Sequence, residues 1–145
     1  MTTVRDIIRK KGSEIWSITP EATAYEALQI MDEKDAGALL VMKDDQVHGI
    51  LSERDCVRKV DLQGRTSRVT KVNEIMTSEV ISVEVTEQLE ECMTTMLEKN
   101  IRHLPVYEGG KLLGLISVRD VLREVVEVQK SLIAQLERFI TGGGR

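Results

Sequence analysis

The chain has 145 residues, 41% hydrophobic, 30% charged and 3% aromatic, with a formal net charge of −4. That length suits one well-buried core or two intimately packed halves, not two independent enzyme domains. The acidic balance argues against a broad basic face for nucleic acid. The scarce aromatics argue against stacked-base recognition, and the absence of a long apolar run argues against a membrane span or signal peptide, so a cytoplasmic protein is expected.

In chain order, Val4-Arg5-Asp6-Ile7-Ile8 reads as a short lead-in helix and Ile15 to Ile18 as a short strand. Thr23 and Glu26 have capping-box spacing at a helix start, after which Ala24, Ala27, Leu28 and Met31 recur at the i, i+3, i+4, i+7 positions of one buried face. Ala38 to Met42 is an apolar strand, Asp44-Asp45 a reversal, and a second strand ends in Gly49-Ile50-Leu51, with His48 expected half-buried on it. A helix should begin near Ser52. The linker Asp61 to Lys71 follows, with Arg58, Lys59, Arg65, Arg68 and Lys71 as a local basic stretch. Val72-Asn73-Glu74-Ile75-Met76 resembles the first lead-in, and the order then recurs to a helix near Ser117. That helix runs on with Val121, Val125, Val128, Leu132, Leu136 and Phe139 at spacings of three and four, until Gly142-Gly143-Gly144 ends it. Its apolar stripe is longer than one repeat can cover and suggests a partner subunit. Cys56 and Cys92 lie in apolar stretches with no CxxC pair or histidine cluster nearby. They are expected as buried thiols, with no metal bound.

The strongest signal is an internal repeat. An offset of 65 aligns Trp16–Val60 with Ile81–Val125 without a gap, and 13 of 45 positions are identical; chance would give about three. Each copy reads strand, helix, strand, strand, helix. The expected fold is therefore α/β (α+β), two tandem repeats packed about a pseudo-twofold axis with a long C-terminal helix. The sequence divides at 70/71: residues 1–70 hold the first repeat with its lead-in and linker, and residues 71–145 hold the second.

Gly49-Ile50-Leu51-Ser52-Glu53-Arg54-Asp55 and Gly114-Leu115-Ile116-Ser117-Val118-Arg119-Asp120 share a pattern of Gly, two apolar residues, Ser, two variable residues and Asp. With Ile101-Arg102-His103-Leu104-Pro105-Val106, they make the repeat resemble the CBS domain and the pair resemble a Bateman module, most like the small stand-alone bacterial and archaeal pairs. The resemblance implies AMP, ADP, ATP or NAD in the clefts between the repeats, dimerisation into a flat disc and no catalysis.

Such a site needs a carboxylate for the ribose hydroxyls, apolar walls and donors for phosphate. Asp55 and Asp120 are candidates for ribose, while Ser52, Ser117 and the free helix N-terminal amides are candidates for an anion. The alternative for the same residues is helix capping. Ile18, Leu39 and Ile50 would wall the first site; Val83, Leu104 and Leu115 the second. Only the second copy carries Arg102 and His103, which either bind phosphate or are solvated strand-end groups. Arg58, Lys59 and Arg65 either reach phosphates of a ligand in the first cleft or form a solvated loop. Arg54 and Arg119 either touch phosphate or cross a dimer interface. The sequence shows no nucleophile–base–acid set, no Walker-type loop and no carboxylate cluster for a divalent metal. The reading is a non-catalytic adenine-nucleotide sensor that acts in trans on a protein partner through dimer packing. Its main rival is a structural dimerisation scaffold with vestigial sites, followed by nucleic-acid binding through the linker cations and, last, a nucleotide hydrolase.

Overall fold

The computed structural model describes residues 1–12 and 14–142, so Gly143 and Gly144 of the expected terminating glycine run lie outside the described residues. The elements in order are α1 (Val4–Lys11), β1 (Ser17–Ile18), α2 (Ala24–Lys34), β2 (Ala38–Lys43), β3 (Gln46–Ser52) and α3 (Glu53–Lys59). A 3₁₀ turn (Asp61–Gln63) leads to α4 (Val72–Ile75), β4 (Val83–Glu84), α5 (Leu89–Lys99), β5 (His103–Glu108), β6 (Lys111–Ser117) and α6 (Val118–Ile140). Two three-stranded sheets form, β1-β2-β3 and β4-β5-β6. In each, the first pair is parallel and the second a hairpin. The mixed α/β repeat read from the sequence is therefore present twice.

Local chemistry places the elements. Thr23 caps α2, its side chain accepting from Glu26 N at 3.1 Å. The hairpins reverse at Asp44-Asp45 and Gly109-Gly110, all four residues with positive φ, as a tight turn matched to strand twist requires. Both hairpins carry a register shift at the same place, after Val41 and after Val106. Val41 pairs with Gly49 and Met42 with Val47, so His48 is the extra residue of the bulge and is exposed, not half-buried as expected.

The chain forms two compact units, Glu14–Ile81 and Met1–Ser13 with Ser82–Arg145. This partition does not coincide with the division at 70/71, because each lead-in packs on the repeat that it does not precede. Val4 and Ile7 of α1 fill the core built by Val83, Leu89, Cys92, Leu104 and Ile116, and Val4 N and Arg5 N donate to Glu87 O and Val85 O at 2.9 Å. Val72 and Ile75 of α4 close the core of Leu39, Val41, Leu51 and Cys56, with Val72 N donating to Ala22 O at 2.8 Å. The cysteines are buried as expected, and burial pushes both thiols up to about 11.

The glycine of each repeat motif has a steric reason. A Cβ on Gly49 would stand 2.8 Å from Thr77 O and 2.7 Å from the Met76 sulfur, because the segment after α4 bridges to Ile50 through Ile50 N→Thr77 O at 3.0 Å and Thr77 N→Ile50 O at 2.9 Å. At Gly114 the nearest atom would be Ile8 Cδ1, at 3.1 Å. The first contact is with backbone, the second with a side-chain tip that can move. Gly49→Ala is expected to lower stability by about 1–3 kcal/mol and Gly114→Ala by clearly less, as measured by chemical denaturation.

Candidate functional site

Each unit turns from its last strand into a helix through the same corner. Ser52 N and Ser52 Oγ donate to Asp55 Oδ2 at 3.0 and 3.1 Å, and Asp55 N donates back to Ser52 Oγ at 3.1 Å. Ser117 and Asp120 repeat the arrangement at 2.8, 3.0 and 3.2 Å. Both serines are thus helix N-caps in capping boxes. Capping and ligand binding are not exclusive, since the cap uses Oδ2 and leaves Oδ1 of each carboxylate outside it. The free amides expected here are mostly taken. Glu53 N donates to Gly37 O at 3.0 Å and Val118 N to Arg102 O at 2.9 Å, so of the first three amides of α3 and α6 only those of Arg54 and Arg119 lack a partner in the corner.

Strand alternation sorts the six expected wall residues. Paired residues of an antiparallel ladder share a face, so Leu39 with Leu51 and Leu104 with Ile116 point one way, while Ile50 with Leu40 and Leu115 with Pro105 point the other. Leu39 and Leu104 are 0% exposed inside the helix-packed cores, and Ile18 and Val83 belong to the same clusters. These four are core residues, not walls. Ile50 and Leu115 are half-buried and share the face of Ser52 and Ser117.

The two corners differ in charge. At the first, Lys59 Nζ lies 3.2 Å from Asp55 Oδ1 and donates to Ile75 O at 3.0 Å. Arg65 pairs with Glu74 at 2.8 Å. Arg58 is exposed and Arg54 half-buried; neither side chain has a hydrogen bond or ion pair among the described residues. At the second, Lys11 from the end of α1 donates to Asp120 Oδ2 at 2.6 Å and to Leu115 O at 2.7 Å, and Arg123 Nη1 stands 3.8 Å from Asp120 Oδ1. Lys10 makes two contacts, at 2.9 and 3.0 Å, with the buried carboxylate of Glu124. An open groove runs here, lined by Ile7, three basic side chains (Lys10, Lys11, Arg123) and three acidic ones (Asp120, Glu124, Glu127). His103 sits opposite Ser117 in the ladder, half-buried, while Arg102 and Arg119 are exposed. Lys10 and Lys11 were not among the sequence candidates. Two lysines ending a short helix are unremarkable until that helix is docked against residues more than a hundred positions away.

Partial burial would push the Asp120 carboxyl up, but the Lys11 ammonium and the Ser117 donors outweigh it and hold the carboxyl below its usual value. Burial lowers the His103 imidazole from 6.5, Lys11 adds to the lowering, and Asp120 opposes it.

A family model, the CBS domain, matches residues 3–62 and 72–127. The chain belongs to the CBS domain family. CBS domain pairs are generally regulatory, ligand-binding proteins. A putative signal-transduction protein with CBS domains from Burkholderia ambifaria is 46% identical with a TM-score of 0.84, the match covering 87% of this chain and 95% of that one. The mitochondrial CBS domain-containing protein CBSX3 of Arabidopsis thaliana is 36% identical over 98% of this chain and 73% of its own. Hypoxic Response Protein I, solved with two coordinated zinc ions, is 30% identical with a TM-score of 0.70, over 86% of this chain and 99% of that one. Among the described residues of this CBS pair, no three His, Cys, Asp or Glu side chains converge as a metal site. No helix among them is long and apolar enough to cross a membrane.

A histidine with a lowered pKa stays neutral in the folded state where the unfolded chain already takes up a proton. It therefore contributes stability at neutral pH that is lost as pH falls from 6.5 through the lowered value. In an NMR titration the His103 midpoint is expected below 6.5, higher in Lys11→Met and lower still in Asp120→Asn.

Proposed function

We propose that this CBS pair is an adenine-nucleotide-binding regulatory module that binds AMP, ADP, ATP or NAD(H), self-associates as a homodimer and acts in trans on a protein partner. Its place is the cytoplasm. The observation that carries the reading is the pair of strand-to-helix corners, each with an aspartate held by its own serine so that Oδ1 stays outside the cap. In this reading Asp55 and Asp120 accept ribose hydroxyls, and Ile50 and Leu115 supply apolar contact beside them. Phosphate is met at the second corner by Lys11, His103 and Arg102, with Arg119 flanking, and at the first by Arg54 and Arg58. The second corner has Lys11 from a lead-in helix and Arg102 where the first repeat has Gly37, and in this reading those two added donors make it the tighter site for a phosphorylated ligand. A nucleotide that binds the folded state alone adds about 2.7 kcal/mol of stability at a hundredfold excess over its dissociation constant.

The reading of a dimerisation scaffold with vestigial sites has one observation in its favour. Asp120 is already engaged by Lys11, and Asp55 by Lys59, so both carboxylates are satisfied without a ligand.

Thermal unfolding with millimolar AMP, ADP, ATP, NAD and NADH separates the two. A rise in Tm with at least one of them, reduced in Asp120→Ala more than in Asp55→Ala, is expected. No shift with all five leaves the scaffold.

A further inference from the structure

Beyond its first turns α6 stands clear of the core. Val121 and Glu124 are buried, whereas Leu122, Val126, Ile133, Leu136 and Ile140 are 46–80% exposed. With Gln129 these residues recur at alternating spacings of four and three, the period of a coiled-coil seam. A second row, Val125, Leu132 and Phe139, repeats every seven residues along one flank of the seam, and Arg123, Lys130 and Glu137 repeat every seven along the other. Leu122, Val126, Leu132, Ile133, Leu136, Phe139 and Ile140, each 46–80% exposed, thus line one side of a single helix as an apolar strip of the kind that marks an interaction surface.

The segregation of the flanks decides how a second copy fits. In a parallel pair the apolar flank of each helix faces the charged flank of the other, setting Val125 against Lys130 and Leu132 against Glu137. In an antiparallel pair like flank faces like. Leu132 then meets Leu132 of the second copy, Val125 meets Phe139, and Arg123 meets Glu137 on both sides of the dyad. Along the seam Val126 lies against Leu136 and Gln129 against Ile133. Lys130 is left beside its own copy as the one like-charge contact in this register.

We propose that two copies of this chain associate through antiparallel pairing of α6 along residues 122–140. This rests on the self-association in the proposed function and adds the surface and its direction. The test measures dimer dissociation of the full chain by analytical ultracentrifugation for Arg123→Glu, Glu137→Arg and the double variant, with oxidative crosslinking of Leu132→Cys and Ile140→Cys. Each single reversal is expected to weaken the dimer about tenfold or more and the double variant to restore it. Leu132→Cys should crosslink, because the two copies meet there. Ile140→Cys should not, because the helix ends lie on the order of 27 Å apart. A wild-type chain that stays monomeric overturns the self-association itself, whereas the nucleotide-dependent Tm is read separately. A dimer in which Ile140→Cys crosslinks, or in which the double variant fails to recover, overturns the antiparallel pairing alone.

Discussion

A carboxylate that accepts from the backbone and hydroxyl of the serine three residues before it sets the geometry of each repeat. The bond from Ser N to Asp Oδ2 ends the strand in extended backbone, and the return bond from Asp N to Ser Oγ starts the helix. Because the ladder pairs Ser52 with Ala38 and Ser117 with His103, that corner also decides which residues share the aspartate's surroundings. In the second repeat it sets the first turn of α6 and with it the phase of every side chain to Ile140. Losing such a cap costs about 1 kcal/mol of stability. The larger consequence here is positional.

On this shared corner the two repeats carry different electrostatics. Lys59 of the first aligns with Glu124 of the second, and the charge reversal is matched by what docks against it. Lys59 reaches a backbone carbonyl of α4, while Glu124 is buried and receives Lys10 from α1. The neighbouring Lys11 brings an ammonium onto Asp120, and no lead-in residue does the same for Asp55. The two corners therefore carry different charges on equal backbones, and one cation of the second belongs to a helix that precedes the other repeat in the chain.

Much of this was legible in order along the chain. The helical stripe from Ala24 to Met31, the turn pairs and the Ser-to-Asp spacing are local patterns, and the offset-65 identity repeats them in register. Both corners, both hairpins and α6 are where these patterns put them. The walls were less legible, because Leu39 and Leu104 sit in continuous apolar runs buried on both faces, where composition cannot say which way a residue points. Only the ladder register turns them into the cores. The exposure of His48 followed from a bulge that no turn signal announces.

What the amino-acid sequence determined by itself is the repeated unit, its element order and the capped aspartates, since all of these depend on residues within a few positions of one another. Tertiary structure alone decided that α1 completes the second repeat's core and α4 the first's, that the first helical amides are spent on Gly37 and Arg102, and that Lys11 meets Asp120. Those contacts join residues far apart in the chain, and their energy comes from burying Val4, Ile7, Val72 and Ile75 in cores that exist only once the strands have paired.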